Sequence, residues 1–165
     1  MTVQRSAQMT LDVPSTEVDL ESWLFGLSDA EYQACARGHH AAGTFRDEQG
    51  RGMVNVESIG GNLIIQHYRA IRAESSDIEM YSASSRVYLL HLVPVTASVR
   101  WLITVTPKTA FSSEFTCTVQ VTLHPVLMVI GRLMALGMFL KRHVDEETAN
   151  FIADITRKHS ASPRS

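Results

Sequence analysis

The sequence has no excess of either charge. Its 165 residues include 15 Lys and Arg against 17 Asp and Glu, so the formal net charge is only −2. Without a surplus of basic residues there is little to attract a phosphate backbone, and we expect no nucleic-acid partner. The opening residues, MTVQRSAQMTLDVP, contain no apolar stretch as long as the core of a signal peptide, so we expect no secretory leader.

Cysteine is scarce as well. Cys35 and Cys117 stand far apart and form no CxxC pair, which argues against a disulfide framework or a thiol redox motif. Reduced thiols in the cytoplasm are the simplest interpretation, and the predicted location is therefore cytoplasmic.

Motifs that define large enzyme classes are also missing. No GxSxG, no P-loop and no GxGxxG at a strand–helix junction occurs, so acyl transfer, nucleotide hydrolysis and dinucleotide binding are unsupported. The seven histidines follow no HxxxH or HExxH spacing, and adjacent His39 and His40 would point to opposite faces of a strand. We therefore expect no metal and no cofactor.

The chain does contain clear alternation and amphipathic spacing. A Ser28–Glu31 pair predicts a capping box at the start of the second helix. Period-two patterns and turn residues predict the remaining order. The predicted elements are a strand at 6–13, helices at 18–26 and 28–36, strands at 40–46, 52–59, 63–73, 78–90, 97–105 and 115–123, and a helix from 125 to about 157.

The apolar stretch LHPVLMVIGRLMALGMFL, residues 123–140, carries one full charge, Arg132, and continues into a charged helix. It is therefore predicted to be part of an amphipathic helix and not a membrane span. One stripe faces the sheet, and a second apolar stripe covers the back of the first half. That back stripe could pack on the N-terminal segment, on a membrane surface, or on a second copy of the chain in a homodimer. The dimer residues would be Leu127, Gly131, Met134, Ala135 and Met138.

This order of elements, β-αα-β6-α with a long uninterrupted final helix, resembles the helix-grip fold of the START-like (SRPBCC) superfamily. That group includes Bet v 1-like proteins, polyketide cyclases and lipid-transfer domains. The resemblance implies an α+β fold in which a curved antiparallel sheet wraps around the C-terminal helix. It also implies one domain over residues 1–165, with a core at about 3–158, a frayed tail at 159–165, and an apolar cavity between sheet and helix.

The residues expected to line such a cavity come from the predicted strands and the last helix. Trp101 alternates with the apolar face of its strand and is predicted to point inward. The register of the strand at 63–73 stays open: His67 and Arg69 point either into the cavity or to solvent, and in the second case Gln66 and Tyr68 point inward. The full candidate set is Met53, Ile65, His67, Arg69, Met80, Val99, Trp101, Ile103, Cys117, Val119, Leu133, Gly137 and Leu140.

Three functions fit these features. The first is binding or transport of an apolar small molecule such as a lipid, a polyketide or an aromatic compound. The second is a polyketide cyclase or aromatase, in which His67, Arg69 or Tyr81 would polarise a carbonyl or carry protons. The third is a protein-interaction module that uses the apolar back of the last helix.

Overall fold

One seven-stranded antiparallel sheet and one long helix make up most of the computed structural model, which describes residues 1–127 and 135–161. The predicted order of elements and the α+β class are confirmed. The elements are β1 (Thr2–Leu11), a 3₁₀ turn (Ser15–Glu17), α1 (Leu20–Phe25), α2 (Asp29–Cys35), β2 (His39–Asp47), β3 (Gly50–Ile59), β4 (Asn62–Ala73), β5 (Asp77–Leu89), β6 (Val93–Pro107), β7 (Ser113–Thr122) and α3 (Leu136–Ala161).

The sheet runs in the order β1-β7-β6-β5-β4-β3-β2. Strands β2 to β7 form a meander through short turns, and β1 closes on β7 over its full length. Register shifts interrupt the ladder at four places, including the Ser82–Ser85 step of β5. Such bulges bend a strand and increase its twist. They allow the open sheet to curve over α3.

The two short helices begin with side-chain caps. Asp19 accepts the backbone N–H of Ser22 at 3.0 Å at the start of α1. The predicted capping box at α2 is confirmed, since Ser28 Oγ accepts the N–H of Glu31 and the Glu31 carboxylate accepts the N–H of Ser28. These caps pair backbone donors that a helix cannot satisfy by itself.

The last helix starts later than predicted. Residues 125–127 are helical, but Ala135 has a left-handed φ of 54° and its carbonyl accepts the first N–H groups of α3, from Met138 and Phe139. A left-handed residue cannot sit inside a continuous right-handed helix. The prediction of one uninterrupted helix from Pro125 is therefore wrong, and at its other end α3 continues to Ala161.

This break changes the basis of the dimer hypothesis. The proposed back stripe assumed regular helical spacing from Leu127 through Ala135 to Met138, and Gly131 and Met134 lie outside the described residues. Met138 itself is 63% exposed. The homodimer stays a prediction. Within the described part of the chain, no helix has both the length and the hydropathy needed to cross a membrane.

The sheet-facing side of α3 agrees with the predicted stripe. Leu140, Val144, Thr148, Phe151 and Ile155 are all buried. Their spacing of three and four residues places them on one side of the helix.

Aromatic packing fixes this side of α3 to the sheet and to α1. The ring of Phe151 packs edge-on against Trp23 at 4.9 Å and lies 5.9 Å from Trp101. The indole N–H of Trp23 donates to Asp154 Oδ2 at 2.9 Å. Helix α1, the sheet and the C-terminal half of α3 are thereby joined around one aromatic cluster.

Replacing Phe151 with Ala should destabilise the fold by about 3–5 kcal/mol, because the change leaves a cavity in this cluster. The matched control is Phe111→Ala, since Phe111 is 82% exposed and its loss should cost less than about 0.5 kcal/mol. Urea unfolding of both variants checks the prediction. Equal midpoints for the two would contradict it.

Candidate functional site

Two adjoining chambers lie between the concave face of the sheet and α3. The chamber lined by His143 and Glu147, here called the inner chamber, contains about 420 Å³ of empty space. Its neighbour, lined by Leu127 and Leu136 and called the outer chamber, contains about 610 Å³. Both volumes include open solvent at the mouths. Apolar residues form most of both walls, and the two chambers share several of them. The shared wall residues are Ile59, Ile64, Val87, Val121 and Leu140.

The chambers differ in the polarity of their lining. Hydrophobic residues and Asn62 surround the outer chamber, whose wall includes Leu127 and Leu136. The inner chamber is lined by polar side chains as well as apolar ones. Those polar residues are Glu57, Gln66, Tyr68, His143 and Glu147.

Regular strand and helix spacing brings these polar groups inward. On β3 the inward residues include Asn55 and Glu57, and both are buried. On α3, His143 and Glu147 lie one turn apart on the same side as Leu140, and both are buried too. The polar floor of the inner chamber is therefore built from β3, β4 and α3, which supply Glu57, Gln66, Tyr68, His143 and Glu147.

The Glu57 carboxylate is held by several partners. Its Oε1 accepts the hydroxyl of Tyr32 at 2.6 Å and the Asn55 amide at 2.7 Å. Its Oε2 lies 3.3 Å from His143 Nε2. Burial alone would raise the pKa of Glu57, but His143, the His39 charge and the Tyr32 hydroxyl hold it at about 2. The group is therefore an anion at neutral pH.

His39 enters the same cluster from the first residue of β2. Its ring stacks on that of Tyr32 at 3.9 Å, and its Nδ1 lies 2.7 Å from the Tyr32 carbonyl oxygen. Its Nε2 points toward Glu147 Oε1 at 3.5 Å, and the ring of His143 lies 5.2 Å away. Two histidines and two carboxylates thus share one buried volume.

Burial and the neighbouring carboxylates shift the pKa of each histidine in opposite directions. Burial lowers the pKa of His143, but the adjacent Glu57 carboxylate, with the charges of Glu147 and Glu146, raises it to about 9. The pKa of His39 is also raised, because Glu147 and Glu57 outweigh the effect of its burial. The His143 ring therefore carries a proton at neutral pH and pairs with the Glu57 anion.

Cys117 lies beside the cluster but is not activated by it. The Trp101 indole N–H donates to Cys117 Sγ at 3.2 Å, and the thiol points toward Glu147 Oε2 at 3.8 Å. Burial and the Glu147 charge raise the pKa of this thiol well above its ordinary value. A neutral, enclosed thiol is a poor nucleophile, and both Cys117 and Cys35 are free and buried.

Of the residues predicted to line a cavity, four do so. Val99, Trp101, Val119 and Leu140 all lie in the wall of the inner chamber. Their roles in ligand binding stay predictions.

Other predicted residues lie elsewhere. Met53, Met80, Ile103 and Cys117 are fully buried in the core apart from the two chambers. Gly137 lies against Arg5, whose Nε donates to its carbonyl oxygen at 2.9 Å. Leu133 falls outside the described residues.

The structure decides the register of β4. Ile64, Gln66 and Tyr68 are buried and point inward, whereas His67 is exposed. The register that directs Ile65, His67 and Arg69 into the cavity is therefore wrong.

Arg69 and Tyr81 belong to the outer face of the sheet. The Arg69 guanidinium makes two 2.7 Å hydrogen bonds to the carboxylate of Asp47 and lies over the ring of Phe45. Tyr81 lies under Arg100, whose guanidinium carbon is 5.5 Å from the ring centroid. The three residues predicted to be catalytic do not line the inner chamber. They are His67, Arg69 and Tyr81.

Comparison with known proteins rests on three-dimensional shape. No family model matches the chain, and no curated protein gives a significant sequence match. The Zhui aromatase/cyclase from Streptomyces sp. R1128 superposes with a TM-score of 0.66 at 11% identity, over 98% of each chain. A norcoclaurine synthase point mutant from Thalictrum flavum gives 0.59 at 12% identity, again over 98% of each chain.

A START superfamily protein from Mycobacterium smegmatis also superposes, with a TM-score of 0.52 at 14% identity over 89% of this chain and 97% of that one. These similarities extend over nearly the whole of each molecule. They confirm the predicted resemblance at the level of the fold.

The shifted pKa values of His143 and Glu57 predict how the free energy of unfolding depends on pH. The protein is first dialysed against EDTA, so that no metal ion competes with protons. The raised pKa of His143, about 9 against an ordinary 6.5, gives stability that is complete below pH 6.5 and lost as pH rises toward 9. The lowered pKa of Glu57, about 2 against 4.5, gives stability that is complete above pH 4.5 and lost as pH falls toward 2. The stability contributed by His143 and Glu57 is thus greatest between pH 4.5 and pH 6.5.

Urea unfolding at a series of pH values measures this dependence. His143→Gln should flatten the decline between pH 6.5 and 9, since it removes the group that titrates there. The matched control is His124→Gln, because His124 is exposed. A wild-type protein whose stability does not change across this window would contradict the assignment.

Proposed function

We propose that this chain, whose fold is the helix-grip fold of the START-like superfamily, binds an apolar small molecule with one polar end in the paired chambers. The observation that carries the proposal is the pair of adjoining chambers that share an apolar wall. Burial of apolar ligand surface against such a wall supplies affinity of about 25 cal/mol per Å².

The polar floor would orient the ligand. Gln66 Oε1 is buried, lines the inner chamber and finds no hydrogen-bond partner among the residues that the structure describes. An unpaired buried acceptor is costly, and a ligand hydroxyl or N–H would satisfy it. A lipid, polyketide or aromatic compound that enters with its polar end first fits this arrangement of apolar walls above a polar floor.

Similar folds support the same class of ligand. One superposing structure is described as an aromatase/cyclase and another as a norcoclaurine synthase in complex with a transition-state analogue. Both names denote enzymes that act on small organic molecules. Their shared architecture with this chain favours a small-molecule role over a protein-interaction module.

A second candidate is an enzyme of the polyketide cyclase or aromatase type that uses the same space. The observation that favours it is the Glu57–His143 pair on the floor of the inner chamber, an anion next to a cationic proton donor. Such a pair can polarise a carbonyl and move a proton within a chain folded by the apolar wall. The residues of this alternative are therefore Glu57 and His143.

Placing a larger side chain in the wall that the two chambers share tests the binding proposal. Ile64→Phe places a larger ring in the shared wall and should raise the dissociation constant of the apolar dye Nile red by about tenfold or more, or 1.4 kcal/mol. Ile71→Phe is the matched control on the same strand, because Ile71 is 60% exposed. Fluorescence titrations with Nile red measure the dissociation constants of both variants. Val87→Phe serves as a second test of the shared wall.

Equal dye affinity in wild type, Ile64→Phe and Val87→Phe would show that the dye binds elsewhere and would contradict the proposal. Circular dichroism of each variant separates a loss of binding from a loss of fold.

Turnover of a linear poly-β-ketone distinguishes the enzyme from the carrier. If the second candidate is correct, Glu57→Gln should lower the rate of cyclised product formation by about 100-fold or more, while Nile red still binds. His67→Gln is the control, since His67 lies on the outer face. Absence of turnover in the wild type, together with dye binding, would support the carrier.

A further inference from the structure

Four side chains that are far apart in the sequence converge below the inner chamber. They are His39 on β2, Glu57 on β3, and His143 and Glu147 on α3, and the side chains of all four are at least nine-tenths buried. One ligand atom from each of His39, Glu57 and His143 lies within 4.8 Å of the other two. Glu147 Oε1 lies 3.5 Å from His39 Nε2.

Both imidazole Nε2 atoms lack a hydrogen bond. Within the described ranges, neither His39 Nε2 nor His143 Nε2 has a hydrogen-bond partner, although both point into the cluster. The nearest carboxylate oxygens lie at 3.5 and 3.3 Å, whereas a charge-assisted N–H···O bond is about 2.7–2.9 Å long. Two buried polar atoms of this kind indicate a binding partner.

The spacing of the atoms fits ligands around one ion. Ligand atoms bound at about 2.1 Å in a tetrahedral arrangement stand roughly 3.4 Å from one another. The His143–Glu57 separation of 3.3 Å agrees with that value, and the ligand atoms of His39, Glu57 and His143 all lie within 4.8 Å of one another. Direct hydrogen bonds would bring the same atoms closer together.

Neighbouring groups hold the ligands in the required orientation. The Tyr32 carbonyl oxygen lies 2.7 Å from His39 Nδ1, so Nδ1 carries a proton and Nε2 is left to bind an ion as a neutral imidazole. Tyr32 and Asn55 donate to Glu57 Oε1, which leaves Oε2 directed at His143. Outer partners of this type fix the tautomer and the direction of metal ligands.

We propose that the cluster is a binding site for one divalent transition-metal ion, with His39 Nε2, His143 Nε2 and Glu57 Oε2 as ligands and Glu147 as the neighbouring carboxylate beside His39. Imidazole and carboxylate ligands together suit zinc or ferrous iron. Because Glu57, His143 and Glu147 line the inner chamber, the ion would lie at its floor, where a ligand oxygen could reach it.

The test uses the full chain after dialysis against EDTA, titrated with zinc chloride by calorimetry and with cobalt chloride by visible absorption. We expect one ion per chain, the d–d absorption bands of protein-bound cobalt, and a higher unfolding temperature with zinc. His39→Gln and His143→Gln should each weaken zinc binding by more than about 100-fold. His40→Gln is the matched control, because His40 follows His39 on β2 but is exposed.

Failure of the wild type to take up either ion would overturn the site, and so would wild-type affinity in both His39→Gln and His143→Gln. Circular dichroism of the EDTA-dialysed variants establishes that they are folded. The titration contains no apolar ligand, so its outcome is independent of the Nile red experiment. Dye binding without metal uptake would overturn the metal site alone.

Discussion

Burial of the Glu57 carboxylate is the constraint on which the arrangement of the interior depends. An ionised carboxylate within an apolar core is very costly unless it is paired and hydrogen-bonded. Its partners come from three elements: Tyr32 from α2, Asn55 from β3 and His143 from α3. The short helix pair and the long helix are consequently tied to one point on the sheet, and that point is also the floor of the inner chamber.

The order of the elements could be predicted from the sequence because alternation and turn residues are local signals. Which face of a strand is buried was harder to predict. On β3 the alternation of Val54 and Val56 with Asn55 and Glu57 is plain, yet the polar set is the buried one. Burial preference alone would direct the valines inward. The polar cluster reverses this preference, because its partners come from distant parts of the chain.

On β4 both faces carry apolar residues, so composition does not select a register. Pairing with β3 settles it, since Gln66 lies opposite Asn55 and both are buried. The start of α3 was also not predictable, since neither Gly nor Pro stands at position 135 to mark the left-handed residue there. His143 and Glu147, in contrast, could have been found. They follow Leu140 by three and seven residues and so share its side of the helix.

Stability alone does not account for the polar cluster. A buried ion pair generally contributes little net stability, and apolar residues of similar volume are often as good or better in its place. This chain nevertheless buries two histidines and two glutamates where apolar side chains would pack, and it leaves both Nε2 atoms without a hydrogen bond in the part of the molecule that is described. Three members of the cluster, Glu57, His143 and Glu147, also line an apolar chamber. Groups with such a cost, in such a position, are explained best by what they bind.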